Sequence, residues 1–396
     1  MRRGTMIKKS FYLADTAWAA TYKARMDEWI EYLDFRKKQG FNAIQMNLLP
    51  WEKGVFPSPF LEDGKINEEY FSAVEEKVDE VVKRGFKPVL VLVWCNYVPG
   101  TWATTQSKDL VLPLTTLLEY CEYAVRRFRK YDPIFVVGGD VDFRTTEAVE
   151  YYSTIAGTIK KTSKDLLLGL HLSRGLCDIP VAVEENVDLY MYQSGHDRYN
   201  QDLSWKLAEK FYSKGKRFVN AEICYEGIGY RGDNYRFNRS DVRKAIWQSV
   251  LSGAEGIGYG AHGIWNWHRK GDRESERHLP SFTWWEALFF EGAWDASFAK
   301  WLVDEFDILS LNPANHLLIS PDVSGIRIAK GENRCAVYLP YDTEVTLDLK
   351  GPIHEVHIVD LGRRIIMKGT FEESGEGVKI SQPGTNSDYL VLIEFD

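Results

Sequence analysis

The sequence predicts a (β/α)8 TIM barrel of the α/β class, followed by a small C-terminal antiparallel β-sandwich. Eight short apolar, β-branched runs alternate with amphipathic helical patterns over roughly 300 residues, the usual span of such a barrel. No Gly-x-Gly-x-x-Gly turn follows an early run, which argues against a doubly wound sheet. From Leu309 the texture changes to short alternating segments separated by Gly, Pro, Asn and Asp. The expected domains are therefore a barrel over 1–308 and a sandwich over 309–396.

The first strand is expected in FYLADTAW from Phe11, and the helix MDEWIEYLDFRKKQG follows. That helix carries Trp29, Tyr32, Leu33 and Arg36 at three-to-four spacing, with Gly40 as its stop. AIQMNLLP from Ala43 is the second strand, and NEEYFSAVEEKVDEVVKRG opens on Asn67 as N-cap and closes at Gly85. PVLVLVWC from Pro88, IFVVGGD from Ile134 and LLLGLHLS from Leu166 are strands three to five. The link RGLCDIPVAVEENV offers room for only a short helix. VDLYMYQS from Val187, RFVNAEI from Arg217 and GIGYGAHGI from Gly256 complete the eight. Before the last of these, SDVRKAIWQSVLSGA is expected to start with Ser240 as cap and Asp241 favouring the positive helix end. Near-continuous apolar runs suit parallel strands covered outside by helices. In the C-terminal region SGIRIAK, RCAVYLP, EVTLDL, EVHIVDL, RIIMKGTF, GVKIS and DYLVLIEF alternate as sandwich strands do. With no low-complexity linker between the two parts, firm docking is expected.

A net charge of −8 and no run of basic residues argue against nucleic acid or an anionic membrane as partner. The five cysteines are scattered without a CxxC pair, so neither zinc spacing nor a disulfide framework is present. At the N-terminus the apolar run is only Phe11-Tyr12-Leu13-Ala14, too short for a signal peptide, and no stretch reaches membrane-spanning length. A cytoplasmic location is the expectation. All 13 tryptophans precede residue 302. Such side chains either pack the core or stack on the apolar faces of sugars.

Barrel enzymes carry their chemistry at the carboxyl ends of the strands. In order, those ends supply Asp15 and Trp18, Gln45 and Asn47, Trp94 and Asn96, Asp140, His171, and Tyr192 and Gln193. Strand seven adds Glu222, with Tyr225 and Glu226 just beyond, and strand eight adds Tyr259 and His262, with Trp265 beyond. The set is rich in hydrogen-bonding and aromatic groups that suit a carbohydrate, and poor in metal ligands and phosphate cradles. His171 and His196 follow strands five and six as in metal-dependent hydrolase barrels. That class also needs His-x-His on strand one and an Asp closing strand eight, where this chain has ADTAW and GYGAHG. No metal or other cofactor is expected, and no Gly-x-Ser-x-Gly elbow is present.

The run VVGGDVD, residues 136–142, ends an apolar strand in two glycines and two carboxylates. Burying a carboxylate costs several kcal/mol unless it is paired, so the strand must deliver an acid to a site that uses one or stop at a surface turn. Gly138 and Gly139 would let the backbone bend and a ligand approach. Asp140 would then project into the barrel mouth, with Glu222 in the matching place on strand seven. Such a pair serves as general acid and as nucleophile or base at a sugar. The alternative is a pair of acids bridged to arginines such as Arg144 or Arg174. Asp142 is expected to be solvated or a helix cap, and Glu226 to lie in a loop near substrate hydroxyls.

FYLADTAW, RKKQGFNAIQMN, VVGGD, NAEICYEG and GAEGIGYGAHGIW occur in this order along nearly the whole chain, and together they resemble the apiosidase-like glycoside hydrolases. The resemblance implies a (β/α)8 barrel with a small β-sandwich often labelled collagen-binding. It implies Asp140 as acid/base and Glu222 as nucleophile, and an oligosaccharide substrate. A retaining exo-acting glycosidase is the leading expectation. An endo-acting glycanase with a cleft along Trp51, Trp94, Trp102 and Trp265 is an alternative, as is a non-catalytic carbohydrate-binding protein.

Overall fold

The computed structural model of the chain describes residues 10–381 and 384–396. The first nine residues of the expected barrel region, with its N-terminal basic side chains, lie outside the described residues. Eight parallel strands close into a barrel in chain order. They are β1 (Tyr12–Thr16), β2 (Ala43–Asn47), β3 (Lys87–Trp94), β4 (Ile134–Gly139), β5 (Leu168–His171), β6 (Leu189–Gln193), β7 (Arg217–Glu222) and β8 (Gly256–Tyr259). β8 pairs back onto β1, with Tyr259 beside Asp15. The surrounding helices are α1 (Ala20–Lys23), α2 (Met26–Lys38), α3 (Glu68–Lys83), α4 (Leu114–Phe128), α5 (Thr146–Thr162) and α6 (Val181–Glu184). They continue as α7 (Leu203–Ser213), α8 (Arg239–Val250), α9 (Trp284–Leu288) and α10 (Gly292–Glu305).

All eight expected runs form barrel strands, and the link after β5 holds only the four-residue α6. Asn67 caps α3 by accepting the Glu69 N–H, and Gly85 follows at φ +74°, in the left-handed region that favours glycine. α8 differs from expectation. Its cap is Asn238, which accepts the Ser240 N–H while Asp241 takes the Asn238 N–H. The Ser240 hydroxyl donates to the same Asn238 oxygen instead of capping. The inner face of α2 buries Trp29, Tyr32, Leu33 and Arg36. Arg36 is fully buried because it pairs with the equally buried Asp15 of β1, which also accepts from the Tyr32 hydroxyl at 2.8 Å.

Ten strands follow: β9 (Asn312–Pro313), β10 (Leu318–Ser320), β11 (Arg327–Lys330), β12 (Arg334–Leu339), β13 (Val345–Leu347), β14 (Ile353–Asp360), β15 (Ile365–Lys368), β16 (Phe371–Ser374), β17 (Gly377–Ile380) and β18 (Tyr389–Phe395). They form a four-stranded sheet, β10-β13-β17-β16, and a six-stranded sheet, β15-β14-β18-β12-β11-β9. Every segment expected to be a strand is one. RIIMKGTF splits into β15 and the start of β16, and β9 and β10 are additional.

In β12 and β18 of the six-stranded sheet successive residues point to opposite faces, and both faces are buried there. Val337, Leu339, Val391 and Ile393 pack in the sandwich's own core. Ala336, Tyr338, Leu390 and Leu392 join the barrel's hydrophobic cluster. Polar contacts reinforce this junction. Arg243 of α8 donates to Asp388 at 2.7–3.0 Å and to Asp295 of α10 at 2.9 Å. The Arg327 guanidinium lies 4.1 Å from the centre of the Trp205 ring. Among the described residues, no helix is long and apolar enough to cross a membrane.

Candidate active site

A cavity of about 340 Å³ opens at the carboxyl end of the barrel. Asp140 and Glu222 lie in its lining, with Trp18, Trp94, Tyr225 and Trp265 among the surrounding walls. Seven of the strand-end candidates therefore meet in one place, since Asn96 joins these six, and Trp51 and Trp102 of the expected cleft line the same cavity.

The turn that delivers Asp140 is set by its neighbours. A Cβ on Gly139 would come 2.2 Å from the ring of Trp94, and one on Gly138 would come 2.8 Å from the ring of Tyr152. The two glycines thus make room for protein side chains, not for a ligand as expected. Asp140 itself adopts φ +51°, a left-handed conformation that Asp tolerates better than most residues. Three contacts hold it. Its Oδ1 accepts from Gln193 Nε2 at 2.9 Å, its N–H donates to His171 Nδ1 at 3.1 Å, and its carbonyl accepts from Trp102 Nε1 at 3.1 Å.

Glu222 is buried at the end of β7. His196 Nε2 lies 2.9 Å from its Oε1, and His171 Nε2 lies 3.5 Å from its Oε2. The tautomers of both rings follow from their other nitrogens. His171 Nδ1 receives the Asp140 N–H, and His196 Nδ1 receives the Tyr225 N–H at 3.1 Å. A neutral imidazole that accepts at Nδ1 carries its hydrogen on Nε2. Each histidine therefore turns an N–H toward a different oxygen of Glu222. The Tyr225 hydroxyl accepts from Trp18 Nε1 at 2.7 Å, which leaves its own hydrogen for Glu222.

These contacts push the two carboxyl groups apart. Burial raises the Glu222 pKa, but the His196 hydrogen bond, the fields of both histidines and Tyr225 outweigh it and hold the group below its ordinary value. Burial also raises Asp140, the negative charge of Glu222 adds to the rise, and the Gln193 hydrogen bond only partly opposes it. The two shifts are opposed: the charged form is favoured on Glu222 and the protonated form on Asp140. Burial lowers the pKa of His171, keeping that ring neutral.

Asp140, His171 and Glu222 offer potential ligand atoms within 4.8 Å of one another. The set does not suit a divalent cation. Ligation through His171 Nε2 would move the ring hydrogen to Nδ1, against the backbone N–H of Asp140.

Other candidates point elsewhere. Asp15 turns outward to Arg36, and Gln45 donates to the Ala221 carbonyl at 2.9 Å inside the barrel. Asn47 is buried, with its backbone N–H on the Trp18 carbonyl at 3.1 Å, and lies outside the cavity lining. Glu226 does not face the cavity. It accepts from the Tyr259 hydroxyl at 2.7 Å and from the Gly292 N–H at the start of α10 at 2.9 Å. Burial raises its pKa to about 7 despite those bonds. Tyr259 is committed to Glu226, and His262 lies between the Gly227 carbonyl at 3.3 Å and the Ser281 hydroxyl at 2.9 Å. Burial lowers the pKa of His262 to about 3. Asp142 is neither solvated nor a helix cap, since Thr145 caps α5. It is buried, accepting the Trp102 N–H at 2.8 Å and pairing with Arg144 at 3.1 Å. Arg174 pairs with Asp197 at 2.8 Å, so neither arginine bridges the two central acids.

Sequence reasoning missed His196 as a partner of Glu222, and His278 and Ile228 as wall residues. Position in the loop just after β6 was the available signal for His196. His278 and Ile228 stand in long loops that carry none.

The model of the family described as "Apiosidase-like, catalytic domain" matches residues 5–310. A solved structure described as a glycoside hydrolase superposes with a TM-score of 0.83 at 19% identity, covering 98% of this chain and 93% of that one. A family 5 glycoside hydrolase from Bacteroides vulgatus gives 0.83 at 20% identity, over 97% and 89%. A GH30 endoxylanase from Clostridium papyrosolvens gives 0.55 at 12% identity, over 98% and 97%. No curated protein matches the sequence.

Proposed function

The chain belongs to the apiosidase-like family of glycoside hydrolases, and from that premise we propose a retaining, exo-acting glycosidase with Asp140 as acid/base and Glu222 as nucleophile. The observation that carries this reading is the approach of an Asp140 oxygen to within 4.8 Å of a Glu222 oxygen across the cavity. Retaining enzymes separate their carboxyl groups by ~5–5.5 Å, and inverting enzymes by ~6.5–9.5 Å to admit a water.

In the first step a Glu222 oxygen attacks the anomeric carbon while Asp140 gives its proton to the leaving oxygen, and the glycosidic bond breaks. The glycosyl ester on Glu222 no longer carries the charge that helped hold the proton on Asp140. The pKa of Asp140 then falls, and its carboxylate takes a proton from the water that attacks the ester. The histidine N–H groups favour Glu222 as the charged nucleophile and as the departing carboxylate. Trp265 stacks on Tyr225 at 6.0 Å and, with Trp18 and Trp94, offers apolar faces to one sugar ring.

Aryl glycosides and oligosaccharides of pectin, xylan and arabinan form the screen that identifies the sugar. Proton NMR of the first-formed product then tests the mechanism. The substrate's anomeric configuration is expected in that product, and the opposite configuration would recast Glu222 as a base.

A further inference from the structure

α10 is apolar on two sides. Ala296, Ala299 and Val303 turn inward and are buried, while Trp294, Phe298 and Trp301, four and three residues apart, line the outer side. A helix that is apolar all round calls for cover on both sides. α9 and α2 extend the uncovered face. Between ring centres, Phe289 lies 5.0 Å from Trp285 and 5.1 Å from Phe35, and Phe35 lies 6.4 Å from Trp294. Trp285, Phe289, Trp294 and Trp301 are 43%, 49%, 39% and 47% exposed. We propose that a second copy of this chain covers this face, in a dimer whose two-fold axis passes beside Phe35.

The extent of the face suits a protein partner. Those four side chains leave roughly 300–400 Å² of aromatic surface in water. A patch of that scale marks an interaction site, and it is about half of the ~800 Å² that each partner gives to a stable interface. The half-buried Phe35 and Phe298 and the exposed side of α2 add to it.

The charges suit a copy of the same chain. Glu31 and Lys38 stand four residues before and three after Phe35, on its side of α2. Both are exposed, and neither has an ionic partner among the described residues. A two-fold axis beside Phe35, perpendicular to α2, sets the two α2 helices antiparallel. Glu31 of each copy then meets Lys38 of the other, so the face complements itself in charge. α10 runs alongside α2 in the same direction, with Arg36 donating to the Leu288 carbonyl and a Cβ on Gly40 falling 3.4 Å from Ser297 Oγ. The same axis therefore brings the Trp285 end of one copy toward the Trp301 end of its partner.

The rings suit neither a glycan nor a lipid surface. Neighbours along Trp285, Phe289, Phe35 and Trp294 meet at 80°, 71° and 68°, so they share no plane for a sugar chain to stack on. Exposed Glu31, Glu286 and Glu291 stand among them and oppose an anionic membrane. None of these residues lines the catalytic cavity, so the dimer stands apart from the reading of the active site.

Sedimentation velocity of the full chain across a dilution series tests the dimer. A reversible species of twice the chain mass is expected, and Trp294→Glu should raise its dissociation constant by about 100-fold. Glu31→Lys and Lys38→Glu each set like charges together at both contacts, and each should weaken the dimer by about tenfold. An equal mixture of these two variants restores both opposite-charge pairs, and a heterodimer as tight as the wild-type dimer is expected. This rescue uses exposed positions only, so it decides the matter even where Trp294→Glu fails to fold. A chain that stays monomeric at every concentration overturns the proposal, including one that is retarded by a polysaccharide gel or captured by anionic vesicles. A dimer that a folded Trp294→Glu leaves untouched uses another face and overturns it as well. A mixture that does not regain the wild-type affinity overturns the axis at Phe35 and the proposal with it.

Discussion

His196 Nε2 lies 2.9 Å from Glu222 Oε1, while the Nδ1 of the same ring receives the backbone N–H of Tyr225 at 3.1 Å. The main chain thus fixes which nitrogen donates to the proposed nucleophile. His196→Ala removes that donor, leaves only His171 and Tyr225 to offset burial, and so raises the Glu222 pKa. The acidic limb of the kcat/KM profile is expected to move to higher pH, with a loss of roughly 10–100-fold, the worth of one charge-assisted hydrogen bond. His196→Gln, which retains an N–H, is expected to recover part of it. An acidic limb that stays in place in the alanine variant would remove His196 from this role.

The division of labour between the acids is open to leaving-group analysis. Glu222→Gln should nearly abolish turnover on every substrate, since no ester can form. Asp140→Asn should lose roughly 10²–10⁴-fold on substrates whose leaving group needs a proton, and far less on a dinitrophenyl glycoside. Equal losses on both substrate kinds would take Asp140 out of the acid role.

The pH profile follows from the opposed shifts. In the proposed mechanism activity requires ionised Glu222, whose pKa is lowered, and protonated Asp140, whose pKa is raised. Turnover should therefore rise at a pH below the ordinary glutamate value, hold a broad plateau, and fall only as Asp140 ionises at higher pH. Replacing Glu222 by Gln removes one of the three causes that raise Asp140, leaving burial and the charge of Asp142. The Asp140 pKa, read by NMR titration in that variant, should drop but stay above the ordinary value, because burial persists.

Two glycine substitutions should have opposite signs. A Cβ at Gly139 meets the Trp94 ring at 2.2 Å, so Gly139→Ala should cost about 1–3 kcal/mol in chemical denaturation and disturb the cavity wall. In α5 a Cβ at Gly157 meets nothing nearer than 3.9 Å, and Gly157→Ala should stabilise by about 0.5–1 kcal/mol. Equal effects at the two positions would show that space around β4 does not limit the turn.

The sandwich is expected to support the barrel. Arg243→Ala leaves the buried Asp388 without its main partner, and should cost about 3–5 kcal/mol. Deleting 309–396 would bare the barrel residues that pack against Tyr338, Leu390 and Leu392, giving insoluble or strongly destabilised protein. A truncated barrel that stayed soluble with an unchanged Tm would refute the supporting role.

The barrel strands were legible because a parallel strand covered on both faces must be apolar nearly throughout. The positions of Asp140 and Glu222 at the barrel mouth were legible because each stands at the carboxyl end of such a run. Strand-end position alone does not tell which way a side chain turns. Asp15, Gln45 and Tyr259 satisfied the positional rule, yet they serve packing and buried hydrogen bonds. Arg36 held a clue, since a cation on the apolar face of α2 demands a buried anion, and Asp15 is that anion. The contact of His196 with Glu222 depends on how the loop after β6 folds back, which no periodicity encodes. Asp142 was misread because the left-handed turn at Asp140 redirects the chain toward Trp102.

β18 follows all the other sandwich strands in the chain, yet it sits between β14 and β12 in the six-stranded sheet. During synthesis β12 and β14 emerge first and cannot complete their pairing until residues 389–395 leave the ribosome. Until then the Leu390 and Leu392 side chains that touch the barrel cluster are missing, and Asp388 has not yet reached Arg243. The barrel's eight strands are complete well before that moment. The nascent chain thus carries a finished barrel with an uncovered flank for as long as the last strand takes to arrive, and a nick or stop just before β18 would leave the flank exposed.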